Sequence, residues 1–289
     1  MADDNKRASG YHGGSVETVI SVEAVTAQAA AIAEKVEVSD VMALANDDPY
    51  LVLNNLDAGY GRMEILHGLN LAVARKQSLC LIGPNGAGKS TILHAIFGFN
   101  TIFSGSIMVG DGPNKRDISK LSPQSKLKEA GIAYILQDKS VFPGMTVEEN
   151  LWMGGFLKDD PKEAKIAAEK VFDKYSRLAD RRKHQAKVLS GGERRLLEIS
   201  RALVMDPEIL LVDEPSIGLE PRFIDMVFDI LRDLQEVEGK TILMVEQNAK
   251  KGLEFADIGY VLVSGELAIA GKGNDLLENP DVGRLFLGG

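Results

Sequence analysis

The chain has 289 residues, 45% of them hydrophobic, enough to build a full core. Its formal net charge is −9, of which the first 48 residues carry −6 (Lys6, Arg7 and Lys35 against nine acidic residues) and the remainder −3. That balance excludes the basic footprint of a nucleic-acid binder, no apolar run is long enough to span a membrane, and the single Cys80 allows no internal disulfide, which suits a reducing compartment.

Residues 1–48 read as an appendage. The opening through Ser15 is polar and Gly-containing, and disorder is expected there. Beyond it Val22, Val25, Ala29, Ile32, Ala33 and Val36 recur at helical spacing, which permits one amphipathic helix. The mixed-sign start argues against a secretory signal, and the acidic residues argue against an organellar transit peptide. Two readings stay open: a solvated tail with a weak helix, or a helix that docks on a partner.

From Tyr50 the texture changes. Leu51-Val52-Leu53 starts a strand, Ala58-Gly59-Tyr60-Gly61 makes a turn carrying an aromatic ring, and Ile65–Val73 and Ser78–Ile82 continue as apolar segments. Directly after Ile82 comes Gly83-Pro84-Asn85-Gly86-Ala87-Gly88-Lys89-Ser90-Thr91, followed by a helix-compatible run from Ile92 to Phe97. Strand, Gly-rich loop and helix in G-x-x-x-x-G-K-[ST] spacing make a phosphate-binding P-loop. Its glycines let successive backbone N–H groups point at one anion, and the helix N-terminus adds partial positive charge to the same spot. Lys89 then reaches the β- and γ-phosphates, and the Ser90 hydroxyl suits Mg²⁺. This stretch predicts nucleoside triphosphate binding. Cys80, in the apolar strand before the loop, is expected to be buried and structural.

Downstream, Ser106–Val109 reads as a strand, residues 124–130 as a helix ended by Gly131, and Ile132–Leu136 as another strand. Thr146-x-x-Glu149 is a capping-box signature, and Asp160-Pro161 opens a helix expected to run to about Asp180. A further helix is expected from about Gly192 to before Asp206-Pro207. Ile209–Val212 is a continuous apolar run, as in a parallel strand buried on both faces. Pro221 opens a helix to about Glu236, and Thr241–Val245 is one more buried strand. Ile258–Val263 and Glu266–Ile269 form a hairpin across Ser264-Gly265, and the tail from Asn274 is helical in character. Strands alternating with helices predict an α/β domain with a mostly parallel sheet.

Two further stretches carry chemistry. Asp213 and Glu214 end the apolar run, at the sheet edge where open α/β sheets bind ligands. The first carboxylate suits Mg²⁺, and the second suits orienting or deprotonating a water that attacks the γ-phosphate. Leu189-Ser190-Gly191-Gly192-Glu193 is a second Gly-containing turn into a helix, readable as another anion site or as an ordinary helix start capped by Ser190. Two such turns grip one triphosphate from both sides only if two chains face each other.

Residues from about Tyr50 to Gly289 resemble the ATP-binding subunit of an ABC transporter. Gly83–Thr91 matches the Walker A motif and Ile209–Glu214 the Walker B motif. Leu189–Glu193 resembles the L-S-G-G-Q signature with Glu193 in place of glutamine, Gln137 takes the Q-loop position, and Tyr60 falls where the family stacks an aromatic on adenine. The resemblance implies a P-loop NTPase fold of the ABC type: a RecA-like parallel-sheet core, an antiparallel β-subdomain and an inserted helical subdomain at about 139–190, all within 49–289. It implies ATP and Mg²⁺ as ligands, with Gly83, Pro84, Asn85, Gly86, Ala87, Gly88, Lys89, Ser90 and Thr91 cradling the phosphates and Ser90, Gln137 and Asp213 on the metal side. Ser190, Gly191 and Gly192 would contact the γ-phosphate held by an opposite subunit, and Glu214 would be the catalytic base.

Two positions depart from the common pattern. Val245-Glu246-Gln247-Asn248 places Gln247 where the family usually carries a switch histidine, and a glutamine donates a hydrogen bond but relays no proton. The D-loop, Ile217-Gly218-Leu219-Glu220, has glutamate in place of aspartate. Phe142-Pro143, Met145–Leu151, Ala58–Gly61, Val245–Ala249 and Leu287-Gly288-Gly289 resemble the ATPases of branched-chain amino-acid importers, in which V-E-Q-N-A is ordinary. Urea importers and the lipopolysaccharide-export ATPase are close relatives, although the export family keeps the histidine. The first 48 residues lie outside the resemblance.

The resemblance implies membrane permease subunits, a second ATP-binding subunit and, indirectly, a periplasmic binding protein as partners, at the cytoplasmic face of the inner membrane. Gln137–Asn150 would carry the coupling, with Phe142 and Pro143 near the docking site. A different class, a soluble ABC-type regulatory ATP-binding protein, stays in view through Gln247 and the appended segment.

Overall fold

The computed structural model describes residues 36–137 and 140–287, so the spacing noted from Val22 to Ala33 and the closing Gly288-Gly289 lie outside the described residues. In chain order the strands are β1 (Pro49–Tyr60), β2 (Met63–Ala74), β3 (Ser78–Ile82), β4 (Thr101–Val109), β5 (Arg116–Asp117), β6 (Ile132–Ile135), β7 (Ile209–Asp213), β8 (Thr241–Val245), β9 (Ile258–Val263) and β10 (Glu266–Lys272). One sheet runs β2-β1-β4-β5 and is antiparallel throughout. The other runs β10-β9-β3-β8-β7-β6, parallel except for the β9–β10 hairpin.

Burial explains why the central strands read as unbroken apolar runs. All five residues of β3, β7 and β8 are buried. In β7, Leu210 and Val212 enter one hydrophobic cluster while Ile209 and Leu211 enter another, so the strand is covered on both faces. Cys80 is fully buried, and desolvation raises its thiol pKa well above the ordinary range, so it stays an inert core residue.

The topology also places the site. β3, β8, β7 and β6 are neighbours and parallel, with Leu81 and Asp213 both opposite Val245, and Ile135 opposite Val212. Their C-terminal ends therefore line up along one edge. Gly83, Glu246–Gln247, Asp213–Glu214 and Leu136–Gln137 stand at those four ends, although they are far apart in the chain.

Helices inserted after β6 span Val147–Gly154, Pro161–Lys174 and Ser176–Asp180. Thr146 and Glu149 form the expected capping box, and Asp160 caps the next helix with Pro161 at its first position. The helix expected to reach Asp180 stops at Lys174. At Tyr175 the backbone leaves helical geometry (φ −119°, ψ 85°), and the short turn that follows puts Leu178 fully into the core. The strand expected at Ser106–Val109 is longer than its apolar letters suggest: β4 begins at Thr101, and its mostly exposed first half pairs with β1.

The packed body begins before the expected boundary at 48. A helix at Val38–Leu44 buries Val41, with Ala45 buried just beyond it, and Gln77 Nε2 donates to the Leu44 carbonyl at 2.9 Å. With so little apolar surface, its burial depends on tertiary packing that no local periodicity reveals.

Candidate nucleotide site

The P-loop is curled by its own neighbours. At Gly83 φ is +146°, and a Cβ there would lie 2.2 Å from the Leu262 carbonyl, so only glycine lets the chain leave β3 in this direction. Asn85 and Gly86 form the exposed tip beyond half-buried Pro84, while Ala87, Gly88 and Lys89 are buried. The Ala87 carbonyl accepts from Gly265 N at 2.9 Å, which ties the loop to the β9–β10 turn. Lys89 opens the helix Lys89–Phe97, and its Nζ donates to the Gly83 and Pro84 carbonyls at 2.9 Å each. Burial lowers the Lys89 pKa, and Glu214 and Asp213 act in the opposite sense by favouring the ammonium. Thr91 is buried in the same helix, and its carbonyl accepts from Asn100.

The Walker carboxylates stand where the four strand ends meet. Ser90 Oγ donates to Asp213 Oδ1 at 3.0 Å, which puts the loop hydroxyl and the strand carboxylate side by side. Glu214 follows with φ +44°, a left-handed conformation uncommon for glutamate and of the kind found at functional sites. Its Oε2 accepts from Gln137 Nε2 at 2.8 Å and its Oε1 from Gln247 Nε2 at 2.9 Å. Glu214, Gln137 and Gln247, each singled out separately in the sequence, thus form one hydrogen-bonded group. Among the described residues no set of three or more His, Cys, Asp or Glu side chains is placed to hold a metal. The Ser90 hydroxyl, the Asp213 carboxylate and the Gln137 amide nevertheless present the hard oxygen donors that suit Mg²⁺, an ion that keeps water and phosphate oxygens in most of its positions.

Tyr60 ends β1 and is 43% exposed. Its hydroxyl is 2.5 Å from His94 Nδ1, so the ring stands beside the P-loop helix with solvent on one side. Burial depresses the His94 pKa, with Asp213 opposing it, and a neutral ring accepts at Nδ1 from the phenol.

The second turn is built as a helix start. Ser190 caps the helix Gly191–Leu203, accepting from Glu193 N at 3.3 Å while Glu193 Oε2 accepts from Ser190 N at 2.9 Å. That backbone hydrogen bond is the first cause of a lowered Glu193 pKa, and Arg181 Nε, 3.3 Å from Oε1, adds to it. A Cβ on Gly192 would sit 2.2 Å from the Phe223 ring, so glycine there admits the helix that follows the D-loop. Among the described residues no hydrogen bond joins the Ser190–Gly192 turn to the Gly83–Thr91 loop.

Three side chains escape the motif reading. Arg195, 4% exposed, donates to the Leu136 and Asp213 carbonyls and pairs with Glu198, joining the signature helix to two strand ends. Glu246 accepts from Ser216 Oγ at 2.7 Å, from Ser216 N and from Asn248 N, so it holds the D-loop and the switch turn together. Tyr134 donates to Asp213 Oδ2 at 2.8 Å. The spacing of Ser90, His94 and Phe97, one stripe of a helix, was the available sign of a polar and aromatic face above Asp213.

The family model for ABC transporters matches residues 66–217, from β2 to the start of the D-loop. A probable branched-chain amino acid transport ATP-binding protein, LivF, of Archaeoglobus fulgidus is 38% identical over 81% of this chain and 96% of its own length. The high-affinity branched-chain amino acid transport ATP-binding protein BraG of Pseudomonas aeruginosa is 39% identical over 83% of this chain and all of its own. The lipopolysaccharide export ATP-binding protein LptB of Haemophilus influenzae is less similar, at 30% over 82% and 97%. The crystal structure of an ABC transporter cassette in its ADP conformation superposes with a TM-score of 0.71 at 27% identity, covering 84% of this chain and 99% of that one. With the P-loop and the Asp213–Glu214 pair on one sheet edge, the chain belongs to the ABC transporter family as one of its ATPases.

Proposed function

We propose that this chain energises an importer of branched-chain or other hydrophobic amino acids. The likeness to LivF and BraG supports the cargo class, and the pairing of Glu214 with Gln137 and Gln247 supports hydrolysis coupled through the segment that begins at Gln137. ATP sits with its phosphates on Gly83–Thr91 and its base on Tyr60. Ser90, Asp213 and Gln137 would hold Mg²⁺, which would supply positive charge against the β- and γ-phosphate oxygens. Glu214 orients the attacking water and takes its proton, and Lys89 moves from the loop carbonyls to the phosphates. Ser190, Gly191 and Gly192 of a second subunit, identical or related, complete the pocket, and closure and reopening of the pair provide the motion.

The permease is proposed to receive that motion in a cavity of about 560 Å³ between the β6 end and the inserted helices, lined by Leu136, Val141, Phe142, Phe156 and Arg201. Phe142 is 41% exposed there, with the Arg201 guanidinium over its ring at 4.8 Å. No helix among the described residues is long and apolar enough to cross a membrane. The chain's likeness to transport ATP-binding proteins supports a peripheral subunit on the cytoplasmic face of the inner membrane, met indirectly by a periplasmic binding protein.

The test is Glu214→Gln. It is expected to keep ATP binding and to trap a closed dimer on size-exclusion chromatography, and unchanged ATP turnover would remove Glu214 from its role. The cargo class is tested by reconstituting the chain with its co-purifying permeases. Turnover raised by a leucine-loaded binding protein and not by a urea-loaded one is the expected outcome.

A further inference from the structure

Tyr134 belongs to no sequence motif, yet its hydroxyl donates to Asp213 Oδ2 while Ser90 donates to Oδ1. A carboxylate bonded at both oxygens is fixed in rotation about its side-chain torsions. Sheet register explains how the phenol arrives. Tyr134 lies opposite Leu211 and Asp213 is two residues further on, so both side chains leave the same face and meet on a diagonal.

The ring that carries the hydroxyl is itself confined. His94, Phe97 and Phe99 pack around it with centroids 5.7, 5.6 and 5.7 Å away. His94 and Phe97 come from the same stripe of the P-loop helix as Ser90, and His94 is held in turn by Tyr60. A phenol boxed by three rings has little room to swing its hydroxyl away from the carboxylate.

We propose that Tyr134 is a positioning residue of the nucleotide site, setting the Asp213 carboxylate so that the oxygen beside Ser90 faces the divalent cation. The proposal rests on the reading of Ser90 and Asp213 as metal ligands. Asp213 is 6% exposed, so water cannot replace a lost donor cheaply. Tyr134→Phe keeps the ring and its packing and removes only the bond that orients Asp213. Its effect falls on the cation, and the nucleobase side keeps its contacts.

The experiment measures Mn²⁺ affinity by electron paramagnetic resonance on the full chain with a non-hydrolysable ATP analogue, beside metal-free binding of the same analogue. Tyr134→Phe is expected to weaken Mn²⁺ about 3- to 10-fold, the size of one hydrogen bond, with metal-free nucleotide affinity kept. Asp213→Asn is the control and is expected to weaken Mn²⁺ further. Parent-like Mn²⁺ affinity in Tyr134→Phe, with Asp213→Asn weakened, overturns the role of Tyr134 and leaves the metal reading standing. Parent-like affinity in Asp213→Asn overturns the metal reading and this proposal with it. Equal loss of metal-free nucleotide binding in Tyr134→Phe also overturns the proposal, because that pattern marks packing alone.

Discussion

Gln247 donates to Glu214 Oε1 at 2.9 Å from the turn after β8, the position of the usual switch histidine in the ABC pattern. The glutamine supplies what an amide can supply, a fixed hydrogen bond, and no proton. With Gln137 on the other oxygen, the carboxylate is aimed before any water arrives. In the proposed mechanism, orientation falls to the two amides and proton transfer to Glu214.

That separation ranks two variants. Gln247→Ala removes one of two orienting bonds and is expected to lower ATP turnover about 10-fold, the low end of the worth of one charge-assisted hydrogen bond. Glu214→Gln removes the base and is expected to cost about 10²- to 10⁴-fold. Steady-state phosphate release from both variants checks the order. A larger loss in Gln247→Ala would move the rate-determining role to the switch turn.

His94 makes part of the stability depend on pH. Burial lowers its folded-state pKa below the ordinary 6.5, so the folded chain resists protonation more than the unfolded chain does. The stabilisation is then complete above about pH 6.5 and is lost as pH falls through the lower folded value. His94→Asn keeps an acceptor for Tyr60 and removes the titration. Urea midpoints at pH 7.5 and 5.5 are expected to fall more in the parent than in the variant, and equal falls would show that other groups dominate that window.

Much of this architecture was written in local signals. The P-loop, the buried strands Ile209–Asp213 and Thr241–Val245, and the helix Pro221–Glu236 are each stated by a contiguous pattern, and they stand where that pattern places them. Glu214 was legible from its place at the end of a buried run, and Gln137 and Gln247 from resemblance, but their direct bonding was not legible, since it depends on which strands become neighbours. Tyr134, Arg195 and Glu246 were missed for the same reason. Each acts on a partner at least 18 residues away in the chain, as Arg195 does on Asp213, and no spacing rule reaches that far. The helix Val38–Leu44 escaped because a helix of about two turns becomes structure only when a sheet accepts it.

Arg195 is expected to dominate local stability. It shares a buried pair with Glu198 and satisfies two strand-end carbonyls. Arg195→Met leaves Glu198 buried without its cation and is expected to cost about 3–5 kcal/mol in urea unfolding. Arg195→Met combined with Glu198→Leu removes the stranded charge and is expected to regain part of that loss. A double variant no more stable than the single one would place the cost in the carbonyl contacts instead.

Glu193 stands where the family signature has glutamine, and its carboxylate lies at the mouth of a turn proposed to meet a partner's γ-phosphate. Its lowered pKa keeps it charged at neutral pH, with Arg181 as counter-ion. Glu193→Gln retains an acceptor for Ser190 N, so the cap survives and stability is expected to change by less than about 1 kcal/mol. What changes is the field at the turn, because one negative charge facing an anion is removed. In a Glu214→Gln background, where closed dimers accumulate, adding Glu193→Gln is expected to lower the ATP concentration at half-dimerisation several-fold. The shift should shrink as salt rises, since screening weakens the repulsion that the substitution relieves. A half-dimerisation point unchanged at low salt would mean that Arg181 already neutralises Glu193, and the glutamate would then be a cap without influence on closure.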